Sequence, residues 1–283
     1  MMNISTQYCG YKVITDSNPL LPEMYTTKDQ NYFALEENQY LLVLDQYGNP
    51  VDRLKWQDGK YKNIFKKPLD SAQIGKVKAK NPQQEFAIDM LMDETTTVKV
   101  LTGTWGSGKT FLACSAAWQM IQAGKFDKIV WVRNNIEVRD TNPIGALPGT
   151  YLEKMSVWAM PLADHLGGKD ELDHQIQMGK VEIEHLGFLR GRDIRNAIIF
   201  CSEAEHLTTD HVKLLLGRVA EGSILILEGD CRQVDAKVFE KDNGLVTAIE
   251  KLKGNRLVAY VHLQETVRSA TARLADLLDK EGN

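Results

Sequence analysis

Eight consecutive residues, Gly103-Thr104-Trp105-Gly106-Ser107-Gly108-Lys109-Thr110, match the pattern G-x-x-x-x-G-K-S/T in full. No other feature constrains the fold of this chain as strongly. A β-branched run from Thr97 to Leu101 leads into the octet, and an apolar run from Thr110 to Ala123, stopped by Gly124, leads out. Strand, glycine-rich turn and helix is the context in which such an octet binds phosphate. Glycines let the backbone wrap closely around phosphate oxygens, and the amides and helix N-terminus add positive potential. In that setting Lys109 reaches the β- and γ-phosphates and Thr110 binds Mg²⁺. The bland alternative is a chance glycine-rich turn.

The surrounding pattern agrees with an α/β fold. Asn81-Pro82-Gln83-Gln84 starts a helix, with Asn81 as N-cap and Pro82 at the first helical position. Strands are expected over 128–132, 181–185, 197–201, 224–227 and 257–262, with helices over 151–165, 209–220 and 244–252. Repeated strand-then-helix units predict a P-loop core, a mostly parallel sheet covered by helices on both faces. Ahead of it, 40–44, 51–56 and 61–65 read as strands joined by a turn at 46–50 and a hairpin signal at Asp58-Gly59. The expected organisation is an irregular N-terminal arm (1–34), a small β-meander with a basic linker (35–80), and the nucleotide-binding domain (81–283).

Composition removes several function classes. A net charge of −4 argues against nucleic-acid binding by bulk charge, so such contact would need a local patch. Cys9, Cys114, Cys201 and Cys231 are widely spaced, which points to neither a zinc site nor a disulfide framework. The first residues lack the basic-then-apolar pattern of a signal peptide, and no apolar run reaches the roughly 20 residues of a membrane span. A cytoplasmic protein without membrane contact is expected.

The remaining chemistry is expected at the carboxyl ends of the buried strands. Ala197-Ile-Ile-Phe-Cys-Ser202-Glu203 ends where a P-loop NTPase usually places the Asp of its metal shell. Here Ser202 stands at that point, able to hold a metal-bound water only through its hydroxyl. Glu203 follows as a candidate metal-shell group and general base for the attacking water, or else as a solvated strand-end carboxylate. The next strand ends in Glu228-Gly229-Asp230 with Gln233 beyond it. Asp230 and Gln233 are placed to sense the γ-phosphate, with a plain Asx-type turn as the rival reading. Gln84 can close a capping box with Asn81 or bind an adenine edge. Arg268 is a candidate for stabilising γ-phosphate charge, against the default of a surface arginine. Arg133 is open, and Arg190, Arg192 and Arg195 read as a solvated basic cluster.

Taken in order, these segments resemble the PhoH family of P-loop ATPases, whose core is similar to that of superfamily 1 helicases. The resemblance runs from about Asn81 to Leu278. It rests on 81–84, 103–110, Val132-Arg133, Ile144-Gly-Ala-Leu-Pro-Gly149 with Glu153-Lys154, Leu189-Arg-Gly-Arg192, Ser202-Glu-Ala-Glu205, Gly229-Asp230 with Gln233, and Val267-Arg268. It implies ATP binding and hydrolysis with Mg²⁺, a ring-shaped homo-oligomer such as a hexamer, and action on single-stranded RNA or another nucleic acid. It favours Gln84 as an adenine contact and Arg268 as an arginine finger. Longer relatives carry a PIN nuclease domain ahead of a segment like the 35–65 meander; this chain begins too late for it and is not expected to be a nuclease. Two departures stand out. The family usually reads Asp-Glu-Ala-Gln where this chain reads Ser202-Glu-Ala-Glu205, and Asn134 stands where Pro is expected. The first supports an alternative, an ATP-binding assembly module with little or no hydrolysis.

Overall fold

The computed structural model of the chain describes residues 8–134, 157–233 and 236–267. The expected arm is not irregular. It contains strand β1 (Tyr11–Thr15) and helix α1 (Leu21–Thr26), and β1 runs parallel to β2 (Tyr40–Leu44). The rest of this sheet is the expected meander, with β3 (Pro50–Gln57) antiparallel to β2 and to β4 (Lys60–Asn63). Strand β1 is hard to read because it is an edge strand with Lys12, Val13 and Thr15 exposed. One face of the sheet meets α1 in a core of Leu21, Met24, Leu41, Val43, Leu54, Trp56 and Tyr61. Part of the expected linker forms a short hairpin, β5 (Leu69–Ser71) with β6 (Gly75–Val77). Helix α2 (Pro82–Met92) follows, and its Phe86 ring lies 4.7 Å from Tyr40 and 5.8 Å from Tyr11, centroid to centroid. The small sheet is therefore packed directly on the larger domain.

The larger domain holds a six-stranded, all-parallel sheet. Its strands are β7 (Val98–Gly103), β8 (Lys128–Arg133), β9 (Val181–His185), β10 (Ala197–Ser202), β11 (Ile224–Gly229) and β12 (Val258–Leu263), in the order β12-β7-β11-β10-β8-β9. Alternate residues serve opposite faces. Leu101, Trp131, Ile198, Phe200 and Ile226 face a cluster shared with α2, α3 (Lys109–Gln122) and the helix Met160–Leu166. Val100, Val130, Ile199, Cys201, Leu225 and Leu227 face the helices Thr209–Leu216 and Gly244–Leu252. Burial on both faces explains why these strands read as apolar runs without alternation. Strand β7 lies between β11 and β12, so the sheet winds away from it on both sides. The carboxyl ends there open the crevice in which α/β sheets bind ligands.

Two helix expectations need adjustment. The first part of 151–165 lies outside the described residues; the rest is a short 3₁₀ turn, Val157–Ala159, followed by Met160–Leu166. The helix from Thr209 stops at Leu216, with Gly217 as its C-cap. A helix over Lys169–Gln177, polar enough to read as loop, was not expected. No helix among the described residues is long and apolar enough to cross a membrane.

Candidate nucleotide-binding site

The loop after β7 is shaped by its glycines. Gly106 (φ +73°) and Gly108 (φ +87°) hold left-handed conformations that side chains disfavour, and Gly108 is the N-cap of α3. The loop closes on itself through the Ser107 amide, which donates to the Thr104 carbonyl at 3.2 Å. Helix α2 supports it from below. Asn81 caps that helix as expected, accepting from the Gln84 amide at 2.9 Å. The reciprocal half of the capping box is not made to Asn81. Gln84 Oε1 instead accepts from the Lys80 amide at 2.9 Å, and its Nε2 donates to the Ser107 carbonyl at 2.9 Å. Gln84 thus ties α2 to the phosphate loop through its Nε2, while its Oε1 holds the backbone just ahead of the helix. The other flank is the segment after β12, where the Val267 amide donates to the Gly106 carbonyl at 3.0 Å. Arg268 comes next and lies outside the described residues, as do the segments 144–149 and 153–154.

The loop suits an anion. Ser107 Oγ is fully buried and has no hydrogen-bond partner among the described residues. It sits in a turn of glycines whose following amides open a helix, the arrangement that holds phosphate. Magnesium takes oxygen donors, and the Thr110 hydroxyl at the start of α3 and the Glu228 carboxylate beside it are groups of that kind.

The acidic wall of the cleft comes from β10 and β11. Lys109, Thr110, Arg133, Ser202, Glu203, Glu205, His206, Glu228 and Gln233 line one pocket. Ser202 is buried at the end of β10. Glu203 follows in a left-handed conformation (φ +53°), unusual for a residue with a side chain. Its carboxylate pairs with the Arg133 guanidinium and lies 3.7 Å from His206 Nδ1. Burial works against its charge, yet His206 and Arg133 hold it below the usual carboxylate range. Arg133 also lies over the Trp158 ring, 5.4 Å from its centroid. Asp230 follows the rival reading in part, accepting from the Arg232 amide at 3.0 Å as an Asx turn. Gln233 reaches the cleft. Of the basic cluster, Arg192 pairs with Glu182 and Glu184, and Arg195 with Asp193.

Glu228, a strand-end residue with no role assigned to it from the sequence, is the most buried acid in the cleft at 2% exposure. Its Oε1 accepts from Thr110 Oγ1 at 3.0 Å and lies 3.7 Å from Lys109 Nζ. Burial raises its carboxyl above the ordinary value, while Lys109 and Thr110 pull the other way. An acid closing the otherwise apolar run Ile224 to Leu227 was the available signal.

Glu205 stands where the resemblance implies a Gln. Its Oε2 accepts from the Asp230 amide at 3.0 Å, close against Gly229, where an added Cβ would lie 2.2 Å from that oxygen. Burial, with Glu228 and Glu203 adding, pushes its carboxyl up to about 8, so at neutral pH it is protonated and resembles a glutamine. A carboxyl raised in the folded state leaves stability intact below its unfolded value of 4.5 and erodes it as pH rises toward 8. Glu205→Gln is therefore expected to match the parent near pH 5 and to exceed it by about 1–3 kcal/mol at pH 8, read from urea denaturation at both pH values.

Residues 76–277 match the family model described as PhoH-like protein. Protein PhoH2 of Bacillus subtilis (strain 168) is 33% identical over 286 residues, covering 96% of this chain and 64% of that protein. Protein PhoH2 of Mycolicibacterium smegmatis is 31% identical over 201 residues, covering 70% of this chain and 46% of that protein. The chain thus spans roughly half to two thirds of the length of these relatives. Among solved structures, that of the Pif1 helicase from Candida albicans is similar with a TM-score of 0.38 and 14% identity, covering 71% of this chain and 43% of that one.

Proposed function

The chain belongs to the PhoH-like family, and on that premise we propose that it binds ATP with Mg²⁺ and hydrolyses it to act on single-stranded RNA as a homo-oligomeric ring. The convergence of Lys109, Thr110, Glu203 and Glu228 in one cleft at the carboxyl ends of β7, β10 and β11 carries the ATPase part. The loop amides and Lys109 hold the phosphates, and Thr110 with the acidic wall holds the metal. Magnesium neutralises charge on the phosphates when bound. Glu203 orients and deprotonates the attacking water, while Asp230 and Gln233 report on the γ-phosphate. Gln84 lies near enough to the loop to couple it to an adenine, once one of its two internal hydrogen bonds is exchanged. Arg268, adjoining a segment bonded to the loop, completes the site from its own or a neighbouring subunit. RNA and the ring rest on the family resemblance.

One observation favours a second reading. Ser202 puts no charge at the end of β10, which suits a module that binds ATP to hold an oligomer together without turnover. Steady-state phosphate release with and without single-stranded RNA separates the two, with Lys109→Ala as control. Turnover that rises with RNA and falls by about 10²-fold or more in Lys109→Ala supports the motor. ATP binding with no phosphate release supports the assembly module, and no ATP binding rejects both.

A further inference from the structure

We propose that Glu228 supplies the magnesium-holding carboxylate of this site, in place of the residue at 202. The assignment rests on the ATP-binding reading of the same cleft and says which strand provides its acid. Strand β11 lies between β7 and β10. Cys201 is in register with Leu227, so Ser202 and Glu228 are the next residues along neighbouring strands. Both follow residues whose even-numbered neighbours, Phe200 and Ile226, face the α3 side of the sheet, and Glu228 itself pairs with Leu101 on that side. A carboxylate at either position therefore projects toward the start of α3. At 202 it is missing; at 228 it is present, one strand nearer the loop.

Its contacts point the same way. Glu228 Oε1 accepts the hydroxyl of Thr110, the group a P-loop offers to magnesium, at 3.0 Å. Lys109, whose partner becomes the phosphates on binding, is 3.7 Å away. A buried acid closing an apolar strand is costly unless paired, and both polar partners of this one belong to the phosphate loop. A purely structural account makes Glu228 a plug that satisfies Lys109 while the loop is empty. The two accounts differ in what happens to the metal.

Mn²⁺ in place of Mg²⁺ gives a direct readout by electron paramagnetic resonance, using the full chain with a non-hydrolysable ATP analogue. Glu228→Gln is expected to weaken Mn²⁺ binding in the ternary complex by about 10–100-fold. In EDTA, analogue affinity followed by intrinsic tryptophan fluorescence should stay the same or tighten, because a negative charge near the phosphates is gone. Ser202→Asp combined with Glu228→Gln should recover most of the metal affinity, and Glu228→Asp should fall between. Mn²⁺ affinity within about twofold of the parent in Glu228→Gln overturns the assignment, as does a double variant that recovers nothing. A parent chain that binds no analogue, with or without metal, overturns the ATP-binding reading and this one with it. Parent binding with an unaffected Glu228→Gln sinks the assignment alone.

Discussion

Glu203→Gln is expected to lower ATP turnover by about 10²–10⁴-fold and to leave nucleotide affinity close to that of the parent. The substitution keeps the size of the side chain and removes its capacity to take a proton. Glu203 stands directly after β10, in a left-handed conformation that a residue with a side chain holds at a cost of about 1–3 kcal/mol. Strain of that kind persists where the surroundings over-determine it, and here it turns the carboxylate into the cleft. Arg133 and His206 keep that carboxylate ionised but also lower its basicity. A general base works best with a pKa near the operating pH, so the ion pair with Arg133 describes a resting arrangement that turnover must loosen. The competing role is to position Arg133. In that case Arg133→Ala would reproduce the loss seen in Glu203→Gln, since the acid would act only through the guanidinium. If Glu203 handles the water, Arg133→Ala is the milder variant. Phosphate release gives turnover, and fluorescence titration gives affinity. A Glu203→Gln loss below about threefold would reject the general-base assignment.

The parts of this site that a reader of the sequence can see are those whose partners are adjacent in the chain. Residues 103–110 declare a phosphate loop because strand, glycines and helix are contiguous, and the α/β architecture follows from strands buried on both faces. Glu228 is different. Its partner Thr110 is 118 residues away, and only the strand order places β11 beside β7. Arg133 and Glu203 meet for the same reason, across the β8–β10 pairing that aligns Arg133 with Ser202. Gln84 shows a subtler limit. Its spacing from Asn81 is right for a capping box, yet the carbonyl of Ser107, 23 residues on, claims the side chain. Strand β1 is hard to see because its pairing with β2 is a long-range parallel contact and three of its five residues, Lys12, Val13 and Thr15, are exposed.

Asp93→Ala is expected to destabilise the fold by about 3–5 kcal/mol, the cost of stranding a buried charge. Asp93 ends α2, where its carboxylate meets Lys55 from β3 and accepts from Gln57 Nε2 at 2.8 Å. Its other oxygen accepts from the amide and hydroxyl of Thr95 at 2.8 and 2.7 Å. Lys55 is only 3% exposed, and its other acidic neighbour, Asp89, is 3.7 Å away and already bonded to Tyr40. Removing Asp93 therefore leaves an ammonium in the interface between the small sheet and α2 with a single distant partner. Replacing both members, Lys55→Met with Asp93→Leu, should cost less than Asp93→Ala alone, because two apolar side chains need no pairing. The pH dependence has a fixed sign. Burial opposes the charge on Asp93, but Lys55 and Thr95 hold its carboxyl well below the usual range. Its contribution is present above the unfolded carboxylate value of about 4 and disappears as pH falls through the folded one. The gap between parent and Asp93→Ala in urea denaturation should thus be full at pH 7 and narrow below about pH 4. A loss under about 1 kcal/mol at pH 7, or a double variant no better than the single, would mean that the Lys55–Asp93 pair does not join the small sheet to α2. The same helix end is fixed to β7 by Lys99, whose Nζ donates to the Met90 carbonyl at 2.8 Å and to Thr96 Oγ1 at 3.0 Å. Its other end holds the phosphate loop through Gln84. Helix α2 therefore connects the N-terminal sheet to the nucleotide site, and Asp93→Ala tests that connection at the end remote from the chemistry.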